Sequence, residues 1–159
     1  MTIPIVKTAM ESDEARVIDA LKLAFAADPA VRWVWPDPQK YLSYFSTFAR
    51  AFGGKAFANK SAHYVGNYSG AALWLPPNIY PDVDQVISLL RDTGSDEAKK
   101  DGPEIFEKMN GFHPNEPHWH LPLLGVDPLH HGKGLGSALL KVWTNLSILK
   151  MSPVREKRN

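Results

Sequence analysis

The chain has 159 residues and a formal net charge of +1 at pH 7, with 44% hydrophobic and 22% charged residues. This length and composition predict one globular domain over 1–159 with a core of its own. A charge this close to balance gives no electrostatic reason to expect nucleic acid or a membrane as a partner. The sequence holds no cysteine, which excludes disulfides, thiolate zinc sites and a cysteine nucleophile, and fits a cytoplasmic location.

The first half of the chain alternates between strand and helix patterns. Apolar residues recur at helical spacing after a cap at Ser12 or Asp13, and a second helical pattern is closed by Gly53-Gly54. The predicted elements are a strand over 3–8, a helix ending at Asp28-Pro29, a loop with Trp33 and Trp35, a helix over 41–52 and a β-hairpin over 61–75.

The second half predicts a helix over 83–90 and a polar helical stretch over 96–109 around Pro103. A proline-interrupted strand over 118–126 follows, then a glycine-rich turn, and then a helix from Ser137. A strand, a glycine-rich turn and a helix start can bind phosphate, because free backbone N–H groups and the helix dipole point at the anion. The spacing fits neither a Walker loop nor a dinucleotide fingerprint, because Lys133 is followed by glycine and the glycines read GxGxG.

The run Val126-Asp127-Pro128, three residues, and Gly132-Lys133-Gly134-Leu135-Gly136-Ser137 resembles the acetyl-CoA loop of the GCN5-related N-acetyltransferases (GNAT). His131 stands where that family usually has Gln or Arg. Within the family the chain looks most like the puromycin N-acetyltransferase type, on three segments: 24–30, Ala71-Ala72-Leu73-Trp74 with prolines after it, and 113–119. The resemblance implies an α/β (α+β) fold with a mixed, mostly antiparallel sheet flanked by helices.

The resemblance also implies a function, namely acetyl transfer from acetyl-CoA to a primary amine of a small molecule by direct attack in a ternary complex. The strand before the loop would bind pantetheine, and the loop would bind the pyrophosphate. The residues expected to bind acetyl-CoA are Leu124, Gly125, Val126, His131, Gly132, Lys133, Gly134, Leu135, Gly136 and Ser137. A non-catalytic CoA-binding or interaction protein is the alternative.

Histidines are the candidate general bases. His118 and His120 lie two apart, so on a regular strand they share a face. Similarity to the arylalkylamine acetyltransferases carries over only His120, and Glu116 is an alternative base. Both histidines could also be ordinary, partly exposed strand residues. No ligand pattern supports a metal site, so none is expected.

Other side chains have two interpretations. Tyr41, Tyr44 and Phe45 could line an acceptor pocket, but helical spacing more often means core, and the same holds for the tryptophans Trp33, Trp35 and Trp74.

The chain stops earlier than the family does, so the domain is expected to be incomplete, with a divergent basic tail over 145–159. Segment 146–152 could be a remnant strand or an extension of the helix. No tyrosine follows Tyr80, so the family's tyrosine general acid is absent. Three interpretations stay open: a truncated product, a homodimer in which a second chain completes the fold, or a protein that binds CoA without catalysis.

Overall fold

A computed structural model describes residues 2–151 and contains one four-stranded sheet. The strands lie in the order β1-β2-β3-β4, and all three pairings are antiparallel. Their bounds are β1 Val6–Thr8, β2 Ala62–Val65, β3 Gly70–Leu75 and β4 His120–Val126. The predicted hairpin and the mostly antiparallel sheet flanked by helices are confirmed. The first strand is shorter than predicted, and β4 begins at His120 rather than at His118.

Seven helices accompany the sheet within the described residues. They are α1 Glu14–Ala24, α2 Pro29–Val34, α3 Pro38–Gly53, α4 Lys55–Ala58, α5 Val83–Thr93, α6 Asp96–Gly111 and α7 Leu135–Met151. None of these helices is both long enough and apolar enough to cross a bilayer. The helical interpretation of segment 146–152 holds through Met151, and the strand interpretation is wrong there. The rest of the predicted tail, 152–159, lies outside the described residues.

Side-chain caps decide where several helices begin. The Asp28 carboxylate accepts a hydrogen bond from the Val31 N–H at 2.9 Å, with Pro29 as the first helical residue. Asp28-Pro29 therefore starts α2 instead of only ending α1, and Trp33 lies in that helix rather than in the predicted loop. Proline suits this position because its missing N–H would have no partner in a first turn. Ser95 caps α6 in the same way through the Ala98 N–H.

The main core lies between one face of the sheet and the helices α1 to α4. Its largest buried side chains are Trp35, directly after α2, and Tyr41 and Phe45 of α3, so the open interpretation of Tyr41 and Phe45 is decided in favour of core. The Tyr41 hydroxyl donates a hydrogen bond to the Lys22 carbonyl in the last turns of α1. Burial raises the pKa of Tyr41 above its ordinary value, so the phenol stays protonated and keeps donating.

The opposite face of the sheet is covered by α7. Leu139 of this helix is fully buried against Val65 and Ala72, and Trp74 and Val126 are partly buried around them. Successive side chains of β3 point to opposite faces of the sheet, so Ala71 and Leu73 belong to the main core while Ala72 belongs to this smaller cluster. The sheet is therefore a two-sided layer that fixes α1 and α7 on opposite faces of β4.

β4 is irregular at its beginning. Leu73 pairs with Leu123, but Leu75 pairs with His120, so β4 advances three residues while β3 advances two. This is a β-bulge, and Pro122 lies within it. A proline fits there because it lacks the N–H that a regular ladder position would need. The bulge separates His120 from the regular end of the strand, 123–126.

We predict that Gly125→Ala lowers the free energy of unfolding by about 1–3 kcal/mol, because it overpacks a tight helix–strand contact. A Cβ atom at Gly125 would lie 2.7 Å from the Cβ atom of Ala24 and 3.1 Å from Cε2 of Phe25. Gly136→Ala is the matched control, since its new Cβ would meet only Cγ2 of Val126 at 3.8 Å. Urea unfolding, with the m-value unchanged, measures the free energy of unfolding of both variants. Equal stabilities would contradict this account of Gly125.

Candidate functional site

The turn after β4 has a fixed backbone shape. Asp127 accepts a hydrogen bond from the Leu129 N–H at 2.9 Å and so starts a short 3₁₀ turn, Pro128–His130. Gly132 and Gly134 both have φ of +76°, in the left-handed region where side chains are strained. A Cβ atom at either glycine would meet nothing within 4 Å, so the backbone conformation and not crowding requires glycine there.

Two basic side chains of this turn contact the turn itself. His131 donates from Nε2 to the Val126 carbonyl at 2.9 Å and so ties the turn to the last residue of β4. Lys133 donates from Nζ to Nδ1 of His130 at 3.3 Å. The side chain of His131, which stands where the family usually has Gln or Arg, therefore holds the turn against β4. The sequence alone did not suggest this role. Lys133 is directed toward His130.

The turn forms the floor of an open cavity of about 760 Å³, which we call the loop cleft. Nine of the ten residues expected to bind acetyl-CoA line it, and Lys133 is the exception. Sequence reasoning missed six lining residues, although all six fall in segments that carried the family resemblance, 24–30 and 126–137. These six are Ala24, Phe25, Ala27, Asp28, Pro128 and His130. The end of α1 thus forms the wall opposite the turn.

The outer edge of β4, which no other strand of the described sheet pairs with, faces this cleft. The Asp127 N–H donates to the Ser69 carbonyl at 2.8 Å, so Asp127 directs its backbone toward β3. The backbone N–H and C=O groups of successive residues in an antiparallel strand point to opposite sides. Those of Gly125 therefore point toward β3, and those of Leu124 and Val126 point outward. No strand within residues 2–151 pairs with that edge. His131 satisfies the outward carbonyl of Val126, and the backbone of Leu124 is left toward the cleft.

A second cavity of about 330 Å³ lies at the other end of β4, and we call it the histidine pocket. Three histidines line it, His113, His118 and His120. The ring centroids of His113 and His120 lie 4.7 Å apart in an edge-to-face arrangement, and those of His113 and His118 lie 5.6 Å apart and stacked. His118 precedes β4, so the two predicted base candidates do not share a strand face. His113 brings them together instead.

The polar side chains that line the histidine pocket are those of histidine, asparagine and one tyrosine, Tyr80. Its other lining residues are Phe52, Asn78, Ile79, Tyr80, Pro81, Val83, Phe106, Met109, Asn110 and Pro114. Glu116, the alternative base, is exposed and does not line the pocket; its carbonyl accepts from Nδ1 of His118 at 2.9 Å. Within the described residues, no group of three or more histidine or acidic side chains is arranged to hold a metal ion.

The protonation of His120 is set by its surroundings. Burial lowers the pKa of His120 below its ordinary value, and positive charge on His113 and His118 lowers it further. A lowered pKa keeps the imidazole neutral at physiological pH. A neutral imidazole can accept a proton, which a protonated one cannot.

No family model matches this chain. A Corynebacterium glutamicum structure described as histone acetyltransferase HPA2 and related acetyltransferase is 24% identical, with a TM-score of 0.61, covering 92% of this chain and 72% of that one. A mosquito arylalkylamine N-acetyltransferase like 5b is 16% identical, with a TM-score of 0.52, covering 94% of this chain and 73% of that one. These similarities show that the chain has the GNAT acetyltransferase fold. The puromycin N-acetyltransferase subtype stays a prediction.

We predict that His120 titrates below 6.5 in a histidine NMR titration, with its signal assigned from the spectrum of His120→Gln. Replacing both His113 and His118 with glutamine should raise the pKa of His120, because two positive neighbours are lost. The pKa should still stay below 6.5, because burial is the larger cause. A wild-type pKa at or above 6.5 would contradict the assignment.

Proposed function

We propose that this chain transfers an acetyl group from acetyl-CoA to a primary amine of a small molecule by direct attack in a ternary complex, in the cytoplasm. One observation carries the proposal: a single strand, β4, lines the loop cleft through Leu124 and Val126 and lines the histidine pocket through His120. A thioester bound along the outer edge of β4 would reach the bulge between the two cavities. There it would meet an amine held beside His120.

The loop cleft suits the pyrophosphate and pantetheine parts of acetyl-CoA. Residues His131 to Ser137 surround the start of α7, where free N–H groups and the helix dipole attract an anion. The left-handed glycines Gly132 and Gly134 let the backbone approach the phosphates without intervening side chains. The outward backbone of Leu124 offers a donor and an acceptor to the amide groups of pantetheine.

The histidine pocket suits an amine that has lost its proton. An alkylamine of pKa about 10 is about 0.1% neutral at pH 7, which costs roughly 4 kcal/mol. The pocket has no carboxylate in its lining to hold an ammonium ion, and it contains a neutral imidazole at His120. As the amine nitrogen bonds to the thioester carbon, His120 takes the amine proton directly or through water, and the carbon–sulfur bond then breaks.

The leaving thiolate does not demand a strong acid. A thiol of pKa about 8.5 is only about 2 kcal/mol from its thiolate at pH 7, so solvent can supply the proton. This matters because, among residues 2–151, no tyrosine lines the loop cleft. The same feature favours a second candidate function, a protein that binds CoA without catalysis. Release of free CoA in the presence of a panel of small primary amines separates the two functions.

We predict that acetyl-CoA binds with a Kd in the micromolar range, about −8 kcal/mol, measured by calorimetry. Gly134→Val should weaken binding at least tenfold, because a branched side chain at φ of +76° forces the turn into another shape. Gly111→Val is the matched control, since Gly111 is exposed at the end of α6 and a Cβ there would meet nothing within 4 Å. Equal affinities for both variants would refute the loop assignment.

We predict that His120→Gln lowers kcat/KM by about 10²–10⁴-fold, the range expected for loss of a general base. The acidic limb of the wild-type pH profile should lie below pH 6.5, because only neutral His120 accepts the proton and its pKa is lowered. His118→Gln should keep that limb and move it to higher pH, since one positive neighbour is removed. A His120→Gln enzyme that retains the wild-type limb would assign the base elsewhere.

A further inference from the structure

Next to the histidine pocket lies a third, partly open cavity of about 420 Å³, which we call the apolar chamber; residues of α2, α3, α5 and α6 line it. Every residue that lines it is apolar. The indole N–H of Trp33 donates to Glu97 at 3.2 Å, and that of Trp35 donates to Thr93 at 2.9 Å. The two tryptophans therefore present ring carbon atoms to the chamber, and a polar occupant would lose its hydrogen bonds there.

The apolar chamber and the histidine pocket share a wall. Phe52, Phe106 and Met109 line both cavities, and the ring centroids of Phe52 and Phe106 lie 6.1 Å apart. Met109 is 52% exposed, and a methionine side chain adapts readily to what it contacts. A molecule that extends from the histidine pocket past these side chains would enter the chamber.

Gly102 contributes to the volume of the chamber. This glycine lies in the middle of α6 and lines the chamber, fully inside the protein surface. A Cβ atom there would meet only Cδ1 of Leu90, at 4.0 Å, and the backbone is not left-handed. Gly102 directly precedes Pro103, and a residue with a Cβ atom is disfavoured in the helical conformation before a proline, so glycine suits this position. Its missing side chain also leaves volume in the chamber.

We infer that the apolar chamber receives the apolar substituent of the acceptor, so that the acceptor is an amphiphilic primary amine with an extended alkyl or aryl group. This inference rests on the proposed function. The amino group would remain beside His120, and the apolar group would pass Phe52 and Met109 into the chamber. Ile105 is 46% exposed at the rim, so the chamber has an apolar entrance of its own.

Linear primary amines from ethylamine to octylamine test the inference with the full chain. Each added methylene group that enters an apolar site should raise kcat/KM by up to about fourfold. Gly102→Leu should flatten this dependence on chain length, because the new side chain fills the chamber. Gly111→Leu, the same change in the same helix but outside the chamber, should keep the wild-type dependence. The dependence on chain length is a ratio of kcat/KM values between substrates of the same variant. A loss of active protein lowers all these values equally and therefore cancels.

A second measurement, amine binding by calorimetry, separates this inference from the proposed function. Acetylation of all the amines with no dependence on chain length would overturn the chamber and leave the acetyl transfer standing. No acetylation, but binding that tightens with chain length and is weakened by Gly102→Leu, would support the chamber and refute the transfer. The inference would be overturned if neither acetylation nor binding depended on chain length. It would also be overturned if Gly102→Leu showed the same dependence as the wild type. A phenylalkylamine series distinguishes an aryl from an alkyl preference.

Discussion

The backbone of β4 has to make a ladder on one side and leave peptide groups open on the other. Toward β3 it forms an antiparallel pairing that positions Gly125 against α1, and the tight contact with Ala24 leaves no room for a side chain. On its outer edge, His131 donates to the Val126 carbonyl, and the peptide groups of Leu124 are directed toward the loop cleft. Both cavities depend on this division, because β4 is the one element that lines each of them.

An open strand edge is a liability, since it can pair with another chain. The described part of the protein limits this edge in two ways. Pro122 and the bulge interrupt the edge at its beginning, and His131 closes it at its end by donating to the Val126 carbonyl. What remains available is a short stretch around Leu124. A stretch this short suits a linear ligand with a few amide groups better than another strand.

The regular elements could be predicted from the sequence because their signals are local. Apolar spacing and the glycine pair predicted α3, the proline pair ended the hairpin, and glycine spacing indicated the turn before α7. The errors arose where one signal serves two structures. Asp28-Pro29 ends one helix and caps the next, so Trp33 was assigned to a loop. His118 and His120 share a strand face only if the strand begins at His118, and it begins at His120.

The site was predicted unevenly for the same reason. Its loop residues are consecutive, and a family resemblance covers them. The histidine pocket joins residues from α3, the 78–83 segment, α6 and β4, and no local pattern links Phe52 to His113. His113 could have been noticed, because five of the six histidines lie between His113 and His131. The contact that lowers the pKa of His120 is tertiary, and sequence spacing does not encode it.

α6 lines both the histidine pocket and the apolar chamber, and its composition reflects this position. Its exposed face is strongly polar, while Phe106 and Met109 lie between the histidine pocket and the apolar chamber. Gly102 leaves space in the chamber, and it stands directly before Pro103, where a Cβ atom would disfavour the helical conformation. The proline inside α6 and the volume of the chamber are therefore linked through one glycine. Under the proposed function, the chamber would hold the apolar group of the acceptor and His120 would lie beside its nitrogen atom.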